Sequence, residues 1–195
     1  MDIKYEYAFD SWSPAVVNAE ENATYTSGVV GYTTINDMKY YTFEYRHITA
    51  KQMTDYVYSV AYIDVDGERY YSAPVKYSVL DYCYAKLGKT GVASDNEDFK
   101  TLLSMTLEQG AAAQKYFKYN TGRLANDAYF LVEVVGGLLE DGFTKGLYNA
   151  TETATLTAPE AESGFEFIGW KNSAGEVVST DNPASLTAFA KNDTY

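Results

Sequence analysis

Cysteine occurs once in the 195 residues, at Cys83, so no disulfide can form within the chain. Histidine also occurs once, at His47. Basic residues are scarce: 15 Lys and Arg stand against 27 Asp and Glu, a net charge of −12. That field repels a phosphate backbone and an anionic bilayer surface, so nucleic acid is not an expected partner. No apolar run approaches the roughly 18 residues needed to span a bilayer, and no membrane insertion is expected. The opening "MDIKYEYAFD" lacks the basic-then-apolar pattern of a secretory signal. Either the protein is cytoplasmic or its natural N-terminus lies outside this segment. Phosphate-binding glycine loops, nucleophile elbows and zinc-ligand spacings are all missing.

What is present is a globular composition with an unusual aromatic content. Apolar residues make up 46% of the chain, enough for a buried core. Twenty residues are tyrosine, clustered in stretches such as "KYYTFEYR" and "YVYSVAY". Tyrosine suits half-buried strands, where the ring packs and the hydroxyl stays wet. A sugar-stacking surface is the functional alternative for the same residues.

The chain divides into three stretches. Residues 1–25 alternate briefly and then turn through "SWSPAV" and "NAEENATYT", too short to bury a core alone. Residues 26–126 form a mixed unit, with a strand over 39–46 and two arms, 55–65 and 68–78, flanking the hairpin signal Asp66-Gly67. Pro74 in the second arm places it at a sheet edge. Ser78 and Asp81 open a helix over 79–87 that Gly88 ends. Asp95 opens a longer one over 96–119, whose buried face is read as Phe99, Leu102, Leu103, Thr106, Gly110, Ala113 and Phe117. Gly110 on that face implies close approach of a neighbouring backbone, since glycine costs about 1 kcal/mol of helix propensity relative to alanine. Residues 127–195 return to β, with strands at "AYFLVEVV", "TATLTA", "FEFIGW" and "GEVVS" and turns at Gly136-Gly137 and Ala174-Gly175. "FAKNDTY" then reads as the approach to a last strand, with the module C-terminally truncated.

Candidate chemistry is thin, and no catalytic, cofactor-binding or metal-binding residue is assigned. A His47–Cys83 dyad would supply a thiolate nucleophile, but Cys83 sits mid-helix among Tyr82, Tyr84 and Ala85, where a small buried residue is expected. Asp64, Asp66 and Glu68 in "DVDGE" offer hard oxygen ligands, yet the later carboxylates of a calcium loop are lacking and a hairpin turn explains them. "DNED" at 95–98 fits acidic residues at a helix N-terminus. Asn22, Asn149 and Asn192 head glycosylation-type triplets of the kind a chain rich in Asn and Thr produces by chance. Trp170 is read as core, while Trp12 belongs to an incomplete unit.

"YAFDSW" at 7–12 and "FEFIGW" at 165–170 echo each other, each followed later by Thr-Tyr, at 24–25 and 194–195. The stretch 130–195 resembles the internalin-type B repeat, also called the Listeria–Bacteroides repeat, through Gly136, Gly137, Leu156, Thr157, Ala158, Phe167, Gly169, Trp170, Thr194 and Tyr195. Residues 5–25 resemble the tail of a preceding copy, with Phe9, Trp12 and Thr24-Tyr25 matching and Ser11 in place of the glycine. "LLSMTLEQGAAAQKYFKYNTGRLAN" and its upstream strands are similar to a module of large secreted proteins of gut Firmicutes that has no established activity. These resemblances imply an α+β, mainly β fold: a middle unit closed by two helices, followed by a small β-grasp-like repeat module. They imply a non-enzymatic spacer or adhesion segment of a bacterial surface protein, extracellular or wall-associated, with signal and anchor outside this segment. A carbohydrate-binding module accessory to a glycan-degrading enzyme is the alternative. The candidate partners are a surface glycan, a host or bacterial protein, or another copy of the chain through strand exchange.

Overall fold

The computed structural model describes residues 3–9, 25–46 and 48–195. Trp12, Ser11, Thr24, Asn22 and His47 lie outside the described residues, and with them residues 10–12 of "YAFDSW" and the histidine of the candidate dyad. The chain is mainly β with two α-helices among the described residues.

β1 (Ile3–Phe9) pairs antiparallel with β2 (Tyr25–Gly28). β3 (Gly31–Ile35) and β4 (Met38–Thr42) form a separate hairpin. It turns at Asn36-Asp37, both at positive φ, 50° and 62°, as a two-residue type I′ turn requires. The strand expected over 39–46 thus starts one residue earlier and stops at Thr42. β5 (Val57–Val65) is the backbone of the first sheet. It pairs with β1 from Ile63↔Ile3 to Val57↔Phe9 on one side. On the other side it pairs with β6 (Glu68–Tyr71) and then with β7 (Val75–Tyr77). Asp66 and Gly67 make the tight turn between β5 and β6, at φ 52° and 87°. Pro74 falls in the gap between β6 and β7 on that outer edge, where its missing N–H costs no ladder bond.

α1 (Val79–Lys86) starts at a reciprocal cap. The Ser78 hydroxyl accepts from the Asp81 N–H at 3.0 Å, and the Asp81 carboxylate accepts from the Ser78 N–H at 2.8 Å. α2 (Glu97–Phe117) is capped by Asn96 rather than Asp95, its side-chain oxygen accepting from the Phe99 N–H at 3.0 Å. It ends two residues earlier than expected, with Lys118 at φ 54°. The buried face is also rotated from the expected one. Leu103 and Gly110 point inward, joined by Leu107, Ala111 and Gln114, while Leu102 and Phe117 are exposed. Gly110 is where a neighbour comes close: a Cβ there would meet the Met53 sulfur at 2.7 Å and the Ala125 Cβ at 3.0 Å.

The C-terminal region contains β8 (Tyr129–Glu133), β9 (Leu138–Leu139), β10 (Lys145–Asn149), β11 (Ala154–Thr157), β12 (Trp170–Lys171), β13 (Val177–Ser179), β14 (Ala184–Leu186) and β15 (Asp193–Thr194). They form three small sheets, ordered β10-β8-β15, β14-β11-β9 and β12-β13. "FEFIGW" is not a continuous strand: only Trp170 enters β12, and Phe165 is largely exposed. Of the Thr-Tyr pair expected to lead into a strand, Thr194 is itself in one and Tyr195 directly follows it. β15 lies parallel to β8, with the Tyr195 N–H donating to Glu133 at 2.9 Å and the Val135 N–H donating to Tyr195 at 2.7 Å.

Among the described residues two large hydrophobic cores form, beside a smaller cluster of Tyr58 and Val60. One gathers Leu80, Cys83, Tyr84, Leu103 and Leu107 from the helices, with Met53 and Ala125. The other gathers Val132, Leu156, Trp170, Ala184 and Phe189. The β8–β10 hairpin serves both, because side chains alternate across a strand. Tyr129, Leu131 and Leu147 face the helices, whereas Phe130, Val132 and Tyr148 face the second core. The register puts Leu131 opposite Leu147 and Phe130 opposite Tyr148, so each cross-strand pair feeds one core.

Candidate functional site between the two cores

Where β10 and the turns on either side of it meet the first sheet, a cleft of about 330 Å³ is lined by aromatic and charged side chains. Tyr56, just before β5, and Tyr58 within it cluster with Phe143, the Tyr58 and Phe143 ring centroids lying 5.9 Å apart. Tyr56 stands between elements, its hydroxyl accepting from the Leu147 N–H at 3.3 Å. Burial raises its pKa well above the tyrosine range, so the phenol stays protonated.

Two cations cross the cleft. Arg123, in the loop after α2, donates to both carboxylate oxygens of Glu152 at 2.6 Å and to the Leu147 carbonyl at 2.9 Å. Its guanidinium also lies 4.9 Å from the Tyr129 ring centroid. Glu152 turns back to accept from the Asn149 N–H at 2.7 Å. Lys76 of β7 contacts the Asp141 carboxylate, and its Nζ lies 4.5 Å from the Tyr56 ring centroid and 5.1 Å from that of Phe143. Asp141 is fixed in turn, its second oxygen accepting from the Phe143 N–H at 3.1 Å. Tyr148 donates to Glu140 at 2.6 Å. Each cation therefore has a carboxylate partner, and both ion pairs join residues before 127 to residues after it.

A buried amide network backs the cleft. Gln114 accepts from the Ala125 N–H at 2.7 Å and donates to the Arg123 carbonyl at 2.8 Å and to the Thr54 hydroxyl at 3.2 Å. It fixes the loop that carries Arg123. Tyr84 does the same for the start of β8, donating to the Asp127 carbonyl at 2.7 Å and accepting from the Tyr129 N–H at 3.1 Å. Asn192 spans the far side, accepting from the Leu131 N–H at 2.9 Å and donating to the Lys89 carbonyl at 2.8 Å.

The residues weighed from sequence are scattered. Cys83 is buried in the helical core, where desolvation raises its thiol pKa and disfavours a thiolate. Asp64 pairs with Arg69 at 2.8 Å across the hairpin, and Asp66 occupies the turn. Among the described residues no group of acidic, His or Cys side chains could hold a metal ion. Glu97 and Asp98 lie in the first turn of α2. Asn149 is buried and bonded to Gly122 and Thr151, which makes it a structural residue. Sequence reasoning did not pick out Lys76, Arg123, Asp141 or Glu152. Lys76 and Asp141 lie 65 positions apart, and no local pattern joins them.

A second concavity of about 340 Å³ lies beside α1, lined by Phe43, Tyr45, Ile48, Val57, Tyr77 and Tyr82 among others. Four of its lining residues, Phe43, Tyr45, Tyr77 and Tyr82, are aromatic. Among the described residues no helix is long and apolar enough to cross a membrane.

The glycine-tryptophan motif has a physical basis in the second core. Trp170 is buried with its ring 5.4 Å from that of Phe167, and Leu156 and Tyr195 pack in the same cluster. Gly137 lies directly under the Trp170 ring, and a Cβ there would also come within 2.8 Å of the Thr157 carbonyl. Residues 133–195 match the family model described as the divergent InlB B-repeat domain. Neither a curated protein nor a solved structure matches the chain significantly.

Proposed function

We propose, from the repeat domain at 133–195, that the protein is a non-catalytic segment of a bacterial surface protein that acts as a spacer or adhesion element outside the cell. The observation that carries this reading is the β8–β10 hairpin shared between the repeat core and the helical core. A spacer has to transmit load without hinging, and a strand pair packed on both faces, flanked by two interlocking ion pairs, provides that continuity. Placing this segment between a surface anchor and an epitope tag tests the role. Antibody access to the tag should increase over that with a flexible linker of equal residue number; equal or lower access would argue against a spacer.

A carbohydrate-binding role is the second reading, supported by the aromatic groove of Phe43, Tyr45, Tyr77 and Tyr82. Aromatic faces stack on the apolar faces of sugar rings. A glycan array discriminates: binding that is lost in Tyr77→Ala and Tyr82→Ala would favour this reading, and no binding to any glycan would leave the spacer reading ahead.

A further inference from the structure

The Lys76–Asp141 pair is arranged for more than attraction. The Lys76 side chain is only 6% exposed and that of Asp141 20%. The amine is enclosed by the Tyr56 and Phe143 rings, so water has little access to the pair. One carboxylate oxygen, Oδ2, faces Nζ, while the other, Oδ1, is already held by the Phe143 N–H at 3.1 Å. Asp141 is thus presented as an acyl group, with a leaving oxygen toward the nucleophile and a hydrogen-bond donor on the oxygen that becomes anionic. Removing both charges from water weakens the ionic form against the neutral amine and acid. Fixing the two groups in contact replaces a bimolecular condensation with an intramolecular one.

We propose that Lys76 and Asp141 condense to an amide, a side-chain cross-link that ties β7 to the turn between β9 and β10. A proton passes from Nζ to Oδ2, leaving an amine beside a carboxylic acid. The Nζ lone pair then attacks Cγ, and the Nζ–Cγ bond forms while the negative charge moves onto Oδ1, facing the Phe143 N–H. A second proton moves from Nζ to Oδ2, the Cγ–Oδ2 bond breaks and water leaves. Oδ1 becomes the amide carbonyl oxygen, still accepting from Phe143. The ammonium and carboxylate together supply every atom of the amide and the water, so no oxidant, cofactor or activating group is required. Half-buried Asp81 is a second carboxyl within electrostatic range of Lys76; burial raises it, while its Ser78 hydrogen bonds and the Lys76 charge act the other way. The inference does not depend on the spacer reading, although a covalent tie between the two cores suits a load-bearing segment.

Intact mass spectrometry of the denatured full chain tests it. The expected mass is one water below that of the sequence, and Lys76→Arg restores the sequence mass. Trypsin should release a branched species joining residues 70–86, uncut at Lys76, to residues 124–145. A mass equal to the sequence mass after prolonged incubation would overturn the proposal and leave an ordinary buried ion pair. A water loss that disappears in mild base and yields no branched species would equally overturn it. That result would identify a cyclic imide, for which the sequence offers Asp66-Gly67 and Asp141-Gly142.

Discussion

Gly137→Ala should destabilise the repeat core, because the added carbon would press on the Trp170 ring and the Thr157 carbonyl. Overpacking of this kind costs about 1–3 kcal/mol, readable as a lower denaturant midpoint at unchanged slope. Gln114→Leu tests the opposite kind of site, a polar side chain with no exposure. Leucine leaves the Ala125 N–H and the Arg123 carbonyl without their partner, a loss of about 1–3 kcal/mol for each unsatisfied group. The same equilibrium unfolding curves measure it. A stability unchanged by Gln114→Leu would mean that the loop carrying Arg123 is not held by this amide.

At the scale of elements, Ser78→Ala removes one half of the reciprocal cap of α1 and should cost about 0.5–2 kcal/mol, with Ser78→Thr, which keeps the hydroxyl that donates to Asp81 at 2.7 Å, retaining more stability in the same assay. β15 is held by Asp193, whose carboxylate accepts from the Ser173 N–H at 2.9 Å and the Thr194 N–H at 3.0 Å. Burial acts to raise this carboxyl, but the Ser173 and Thr194 hydrogen bonds and Lys191 overcome it and bring it down from 3.8 to about 2. A depressed carboxylate contributes stability above its unfolded value, and that contribution is lost as pH falls through the folded one. Melting temperature should therefore drop between about pH 4 and pH 2, and Asp193→Asn should flatten that part of the profile.

The elements also show what can be read from sequence. The Asp66-Gly67 hairpin, the Ser78–Asp81 cap and Gly110 were legible because each is a local rule with one steric answer. The face of α2 was not. Leu102, Met105, Tyr116 and Phe117 are apolar yet exposed, so its periodicity carries more than one stripe and only tertiary packing selects among them. "FEFIGW" alternates like a strand, but Trp170 alone finds a ladder partner in β13. The junction cleft was invisible because its pairs come from elements far apart in the chain.

At the scale of the whole molecule, the central claim is that the β8–β10 hairpin makes the helical core and the repeat core one cooperative structure. Contacts from Tyr129, Leu131 and Leu147 on one face and Phe130, Val132 and Tyr148 on the other leave no strand boundary at which one core opens alone. The ion pairs of Arg123 with Glu152 and Lys76 with Asp141 close the same seam. Denaturation of the Trp12→Phe variant tests this directly, since Trp170 is then the sole tryptophan and reports on the repeat core, while helical circular dichroism reports on α1 and α2. Coincident transitions with a common midpoint and slope are predicted. Two separated transitions, with the tryptophan signal lost before or after the helical one, would contradict it.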